Sequence, residues 1–523
     1  MKDFGPGFPE WTELGQDGGL DPLGMQRPIE AIYQSLLPGI STITLRFRYY
    51  SFFVWMLEVY AKKERNTDPT AFRVFQRRCE TVFALICARG STELGVAGID
   101  WAQKQLAGIV DQSDGEVVID FSVGADPEAE VSQRYLRNKG GAFGGIYATQ
   151  MFEMGLIILG NDRNPISVCT NRALPLADAF GAEIGELASI FLGTVRAGQV
   201  SLADLDRMAA IKPSKIVPGS AEHGLLVDVL LGKGATASAP DKLRRSTTIM
   251  LLQLIEAIQD VPRAEAVKWE WFGAGNATES TEAAPTNEVR TLWALYQACD
   301  LMRIAYENVL DMALDILMQS PARRMSLDVL VAELLDHADA PDDLTWQELS
   351  NALNKGSTPA EAARQADLAM NEARAAGDRT GQMRSVVALV AALSAKAVAF
   401  GDLLDQALDA PDHFHSLTTE VRFLRDRCDD SARSVVGAMF RERVLKRHLW
   451  VASRKFRNQK AYTFLMEPEE GVLRYRSHFR VSPSSPRLEQ AMGFLRDVKL
   501  LHDARVSESK GLTKFGRAEL TAV

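Results

Sequence analysis

Between Glu288 and Gln319 the chain reads "EVRTLWALYQACDLMRIAYENVLDMALDILMQ", 32 residues without glycine or proline and rich in strong helix formers. One helix of that length would reach about 48 Å, and its apolar positions need other helices to cover them. The surrounding sequence supplies candidates. "PAEAARQADLAMNEARAAGD" (Pro359 to Asp378) is equally helix-prone, and its alanines suit close helix-on-helix packing. In "DPTAFRVFQRRCETVFALICAR", Phe72, Val74, Phe75, Cys79, Val82, Phe83 and Ile86 recur at three- and four-residue steps, with Asp68 placed as an N-cap before Pro69. "EVVIDFSV" (Glu116 to Val123) is the clearest strand of the N-terminal half. The expected fold is mainly α, a multi-domain helical protein with minor β. No repeat of fixed period suggests a solenoid.

A hydrophobic fraction of 46% allows a real core, and 24% charged residues is an ordinary globular value. The first twenty residues are rich in Gly and Pro and have no apolar run resembling a secretory signal. "SVVALVAALSAKAVAF" (Ser385 to Phe400) contains Lys396 and is short for a membrane span, so a buried helix is expected. The five cysteines are odd in number and widely spaced, which argues against a disulfide framework or a cysteine zinc site and fits a reducing compartment. A soluble, cytoplasmic protein with no membrane contact and no cofactor is the expectation.

Charge divides the chain. From Val421 to Val523 there are 22 Lys and Arg against 12 Asp and Glu, a balance of +10. Residues 1–420 hold 37 against 56, a balance of −19. "GKGATASAPDK" (Gly232 to Lys242) and "GAGNATESTEAAPT" (Gly273 to Thr286) read as connections. Three regions follow: 1–231, helical with one short strand; 243–419, acidic and Ala-rich; and 420–523, basic.

In the basic region "SARSVVGAMFRERVLKRHLWVASRKFR" reads as a long helix carrying Arg441, Arg443, Lys446, Arg447, Arg454, Lys455 and Arg457. "AYTFLMEPEEGVLRYRSHFRV" reads as a hairpin turning at "EPEEG". An amphipathic helix follows, with Leu488, Ala491, Met492, Leu495, Val498 and Leu501 on one face. The ending, a helix closed by an aliphatic doublet, a polar stretch and then "LTKFG" (Leu512 to Gly516), resembles the tail of winged-helix modules over roughly forty residues. That resemblance implies phosphate contacts at Arg496, Lys499, Arg505, Lys510 and Lys514. Upstream, a broad hairpin replaces the usual compact helix pair. The partner expected is DNA or RNA; docking of the basic region on an acidic protein surface is the alternative.

Other motifs read as structural. "GGAFGG" (Gly140 to Gly145) lacks the Lys-Ser/Thr of a phosphate loop and suits close packing or a helix entrance. "DHFH" (Asp412 to His415) and "HADAPDD" (His337 to Asp343) lack further metal ligands nearby. A sequence-degenerate nuclease using acids such as Asp120 is a further alternative.

Residues 42–49 alternate, with Thr42, Thr44, Arg46 and Arg48 on one side and Ile43, Leu45, Phe47 and Tyr49 on the other. Beyond Tyr50 the chain is apolar on all sides to "YAKK". A single helix capped by Ser41 accommodates both patterns. It would place Arg46 beside Tyr49 and Tyr50, and Arg48 beside Phe52. Arg46 and Arg48 are then buried ion-pairing residues or, alternatively, anion contacts.

This segment, with "GLDPLGMQ" (Gly19 to Gln26) before it, resembles the start of an uncharacterised bacterial family that reads "PGxSTxxxRxRYYxFxxW". The matching residues are Pro38, Gly39, Ser41, Thr42, Arg46, Arg48, Tyr49, Tyr50, Phe52 and Trp55. The family is associated with phage-defence-type gene neighbourhoods, and the resemblance implies one subunit of a multi-gene system with other protein subunits as partners. The expected function is a non-catalytic, nucleic-acid-associated subunit or adaptor, with a pure protein-interaction scaffold as alternative.

Overall fold

The computed structural model describes residues 20–90, 93–107, 117–234, 237–274, 284–408, 415–503 and 509–522. It is 66% helical and 5% strand, which makes the protein mainly α and multi-helical. Two compact units are present, each assembled from two separated stretches of chain: Gln34–Val267 with Ser485–Val523, and the segment ending at Tyr33 with Lys268–Ser484. The sequence boundaries at 231–243 and 419–420 fall inside these units.

In the first unit the aromatic segment forms the central helix, Arg48–Val59, in which residues 48–57 are all buried. Phe52 meets Phe83 at 4.5 Å between ring centroids, Trp55 meets Phe180 at 5.6 Å, and Tyr49 meets Tyr147 at 4.6 Å. Each such ring contributes about 1.5–3 kcal/mol by burial, which explains a helix without a polar face. The helix begins later than the sequence suggests. Ser41 and Thr44 close a turn of their own, with the Ser41 N–H donating to Thr44 Oγ1 at 2.9 Å. Phe47 takes the N-cap position, and its N–H donates to the carboxylate of Asp497 at 2.8 Å. The alternating stretch therefore turns Thr44 and Arg46 inward and leaves Ile43 and Leu45 half exposed.

Helix Pro69–Ala88 starts as expected, with Asp68 accepting from the N–H groups of Thr70 and Ala71. The predicted strand appears as Val118–Asp120, antiparallel to Gln199–Ser201. The amphipathic C-terminal helix is Leu488–Asp497, burying Leu488, Ala491, Met492, Phe494 and Leu495. An antiparallel bridge between Leu501 and Leu512 follows, then helix Lys514–Thr521. Residues 504–508, where a wing is expected, lie outside the described residues.

The second unit is built on the long helix, Ala284–Gln319. Helix Arg379–Ala397 packs along it and against Pro359–Ala376, where Ala360, Ala362, Ala363 and Ala366 are buried. Thr358 and Glu361 form a capping box at the start of Pro359–Ala376. Gly377, at φ 71°, ends that helix in the left-handed conformation. Among the described residues one helical stretch, Arg379–Phe400, is long and apolar enough to cross a membrane, and most of it is buried in this unit. Lys396 lies inside with Nζ 5.3 Å from the centre of the Phe272 ring, and burial pushes its pKa down. The hairpin pairs Met466–Glu469 with Val472–Tyr475, and Arg324–Met325 adds a third strand. Its turn, Glu470-Gly471, has positive φ at both residues, as a tight two-residue hairpin requires.

Candidate nucleic-acid interface

Ser431 caps the basic helix, its hydroxyl accepting from the Ser434 N–H. The helix runs Ala432–Ala438, passes through a π-helical stretch at Met439–Leu445, and continues as Lys446–Gln459. It stops at Lys460, which is left-handed at φ 53°. The sequence expectation of one long helix holds, with a π insertion that shifts its register midway.

The inner side is a charge cluster. Glu420 is fully buried and accepts from Arg443 at 2.8 and 2.9 Å and from Arg447 at 2.6 Å. Burial alone would raise the Glu420 pKa; Arg447 and Arg443 outweigh it and hold it at about 2. His448 is also buried. It accepts the Leu465 N–H at Nε2, which leaves Nδ1–H to donate to the Pro22 carbonyl at 3.1 Å. Burial pushes its pKa down to about 4, so the ring is neutral. Arg441 pairs with Asp328, and Lys455 donates to the Asp21 carbonyl at 3.3 Å.

Lys446, Arg454 and Arg457 are exposed, as is Lys460. On an ideal helix Lys446, Trp450, Arg454 and Arg457 fall within about 80° of arc. They form one outward stripe, in which the Arg454 guanidinium lies 5.4 Å from the Trp450 ring centre. Trp450, Phe456 and Tyr462 are 43%, 50% and 51% exposed. Tyr462 stands edge-on to Phe456 at 6.2 Å, with Arg476 over its ring at 5.8 Å. The charge count did not point to these aromatics; the i, i+4, i+8 spacing of Lys446, Trp450 and Arg454 is the signal that could have.

The candidates in the other unit are separate from this stripe in the chain and belong to a different compact unit. Arg496 is half buried, and Lys514 is exposed with Nζ over its neighbour Phe515 at 5.1 Å. Lys499 donates to the Ser214 carbonyl at 3.3 Å, and burial lowers its pKa. Lys510 pairs with Asp260 at 3.2 Å. Arg505 lies outside the described residues.

Arg46 and Arg48 face the protein's own carboxylates. Arg46 Nε binds both oxygens of Asp497 at 3.1 and 3.2 Å, and Nη1 binds Glu93 at 2.7 Å. Arg48 clasps Glu222 through Nε and Nη2 and gives Nη1 to the carbonyls of Ala210 and Lys212. The anion contact considered for this pair is thus filled from within. The expected stacking on Tyr49, Tyr50 and Phe52 gives way to Phe180, 5.3 Å from the Arg48 guanidinium.

"GGAFGG" is a helix entrance closed the same way. The Glu80 carboxylate accepts the N–H groups of Ala142 and Phe143 at 2.9 and 2.7 Å, occupying the position a phosphate would take. His337 contacts Thr380, and Asp339 pairs with Arg384. Asp412 and His413 lie outside the described residues. Among the described residues no three His, Cys, Asp or Glu side chains are grouped to hold a metal ion. Asp120 caps its own turn, accepting from Ser122 N–H at 2.9 Å and Oγ at 2.6 Å. Comparison with protein-family models, curated proteins and solved structures gave no match.

Proposed function

We propose that this chain is a non-catalytic, nucleic-acid-associated subunit or adaptor of a bacterial defence-type multiprotein complex. The supporting observation is the outward stripe on helix Lys446–Gln459, where Lys446 and Arg457 with Lys460 are exposed, beside the exposed Arg454, while Arg441, Arg443 and Arg447 bind acids. The defence setting rests on the resemblance of the Pro38–Trp55 segment. A scaffold without nucleic-acid contact is the second reading, favoured by how many of the basic side chains bind the protein's own acids.

The test is fluorescence anisotropy of labelled DNA and RNA with the full chain, from about 50 to 300 mM salt. Deleting everything after 420 is unsuitable, because it would remove parts of both compact units. The comparison protein is instead the variant Lys446→Gln, Arg454→Gln, Arg457→Gln, Lys460→Gln. Salt-sensitive binding that the variant loses supports the proposal. Absence of binding by the unaltered chain rejects it in favour of the scaffold.

A further inference from the structure

We infer that the Lys446–Tyr462 surface takes a single-stranded polynucleotide, with phosphates along Lys446, Arg454, Arg457 and Lys460 and bases stacked on Trp450, Phe456 and Tyr462. The inference rests on the nucleic-acid reading above and narrows it to a substrate class. Half-exposed large apolar side chains are unremarkable when scattered singly. Here three half-exposed aromatic rings lie within thirteen residues, among four exposed cations. Trp450 meets His415 edge-on at 5.4 Å and Tyr462 meets Phe464 at 5.3 Å, so each of these two rings offers a base only its remaining exposed surface.

Single-strand binders combine these two elements, a basic track for the backbone and open ring faces for the bases. A duplex offers the same phosphates, yet its bases are already stacked on each other and cannot reach a protein ring without being unpaired. An acidic peptide would satisfy the cations and leave the three rings in water. Acids are also present beside this surface among the described residues. Glu442 is exposed one turn before Lys446, and Glu467 is engaged by Tyr462 and Arg476. They set the edges of the track and do not interrupt the stripe from Lys446 to Arg457.

The experiment uses the full chain with labelled oligo-dT, oligo-rU and a duplex of equal length, and the variants Trp450→Ala, Trp450→Phe, Tyr462→Ala and Lys446→Gln/Arg457→Gln. The expected result is tighter binding of a single strand than of duplex. Trp450→Ala and Tyr462→Ala should each weaken the single strand by about tenfold or more while leaving the salt slope unchanged. Trp450→Phe should restore most of that loss. The charge variant should lower both affinity and slope. The dT and rU arms identify which strand chemistry is preferred.

Equal or tighter duplex binding, or aromatic variants that bind single strands like the parent, would overturn the single-strand inference and leave the broader proposal standing. Failure of every polynucleotide to bind would remove both. Tyr462 lies outside the helix, so its variant tests stacking even if Trp450→Ala perturbs the helix.

Discussion

Arg48 and Glu222 are fully buried and joined by two parallel hydrogen bonds, Nε to Oε1 at 2.9 Å and Nη2 to Oε2 at 2.8 Å. Ser51 adds a third donor to the same carboxylate at 2.6 Å, and two backbone carbonyls take the remaining guanidinium nitrogen. The central helix of that unit is thereby tied to helix Ala221–Leu230 by charge as well as by packing.

Breaking one side of this pair should be severe. Glu222→Ala leaves a guanidinium buried without its counter-charge and is expected to destabilise the unit by about 3–5 kcal/mol. Arg48→Met with Glu222→Leu removes both charges and should recover much of that loss. Guanidinium chloride unfolding of both variants measures it. A Glu222→Ala midpoint equal to the parent would contradict the geometry.

Acid should act on the unit containing helix Lys446–Gln459 through several buried groups: His448, His415 and Glu420 weaken it, while Glu307, whose pKa burial raises to about 7, opposes them. The folded pKa of His448, about 4, lies below the ordinary 6.5, so the unfolded chain binds the extra proton first. The His448 contribution is constant above about pH 6.5 and turns increasingly unfavourable as pH drops from there toward 4. The shift corresponds to about 3 kcal/mol at the lower end. His448→Ala should be less stable at neutral pH, having lost two buried hydrogen bonds, and should show a shallower acid dependence in urea titrations, with the share owed to His415, whose pKa burial lowers to about 3, remaining.

Glu420 acts at lower pH. Its folded pKa, about 2, lies below the ordinary 4.5, so the ion pair's stabilisation is present above 4.5 and lost as pH falls toward 2. About 3 kcal/mol is at stake. Glu420→Gln should reduce the dependence in that window, leaving the shares of His415 and Asp241, while lowering stability at pH 7 because Arg443 and Arg447 lose their common counter-charge. Far-ultraviolet circular dichroism between pH 5 and pH 2, in steps of about half a unit, follows it.

Two neighbouring glycines should respond in opposite ways. Gly141 has φ +68°, and a Cβ there would overlap the Glu80 carboxylate and Tyr135 hydroxyl. Gly141→Ala is expected to destabilise by about 1–3 kcal/mol from backbone strain, before the overlap is added. Gly144 meets nothing within 4 Å, and Gly144→Ala should be neutral or stabilising by up to about 1 kcal/mol. Thermal midpoints of the two variants, compared side by side, check the contrast.

Elements that depend on neighbouring residues were legible in the sequence. Asp68 before Pro69, the Glu470-Gly471 turn and the apolar face from Leu488 to Leu495 are all as read, because caps, turns and helix faces involve groups a few residues apart. The Ser41–Phe47 stretch departs from the helix expected of it because its pattern suits two conformations and the deciding contact is remote. Asp497 lies 450 residues from Phe47, and its carboxylate sets where the helix begins.

Composition and periodicity alone determined that the chain is mainly helical, where its long helix runs and that its basic residues gather after Val421. Local propensity and hydrophobic period act within a few turns of chain, so they are readable without a partner in view. Which of those basic residues meet an acid was decided only by tertiary structure. Glu420 neutralises Arg443 and Arg447 from another helix, while Lys446 and Arg457 on the same helix face water. Net charge is a property of the list of residues, whereas exposed charge depends on which side chains folding brings within hydrogen-bond reach.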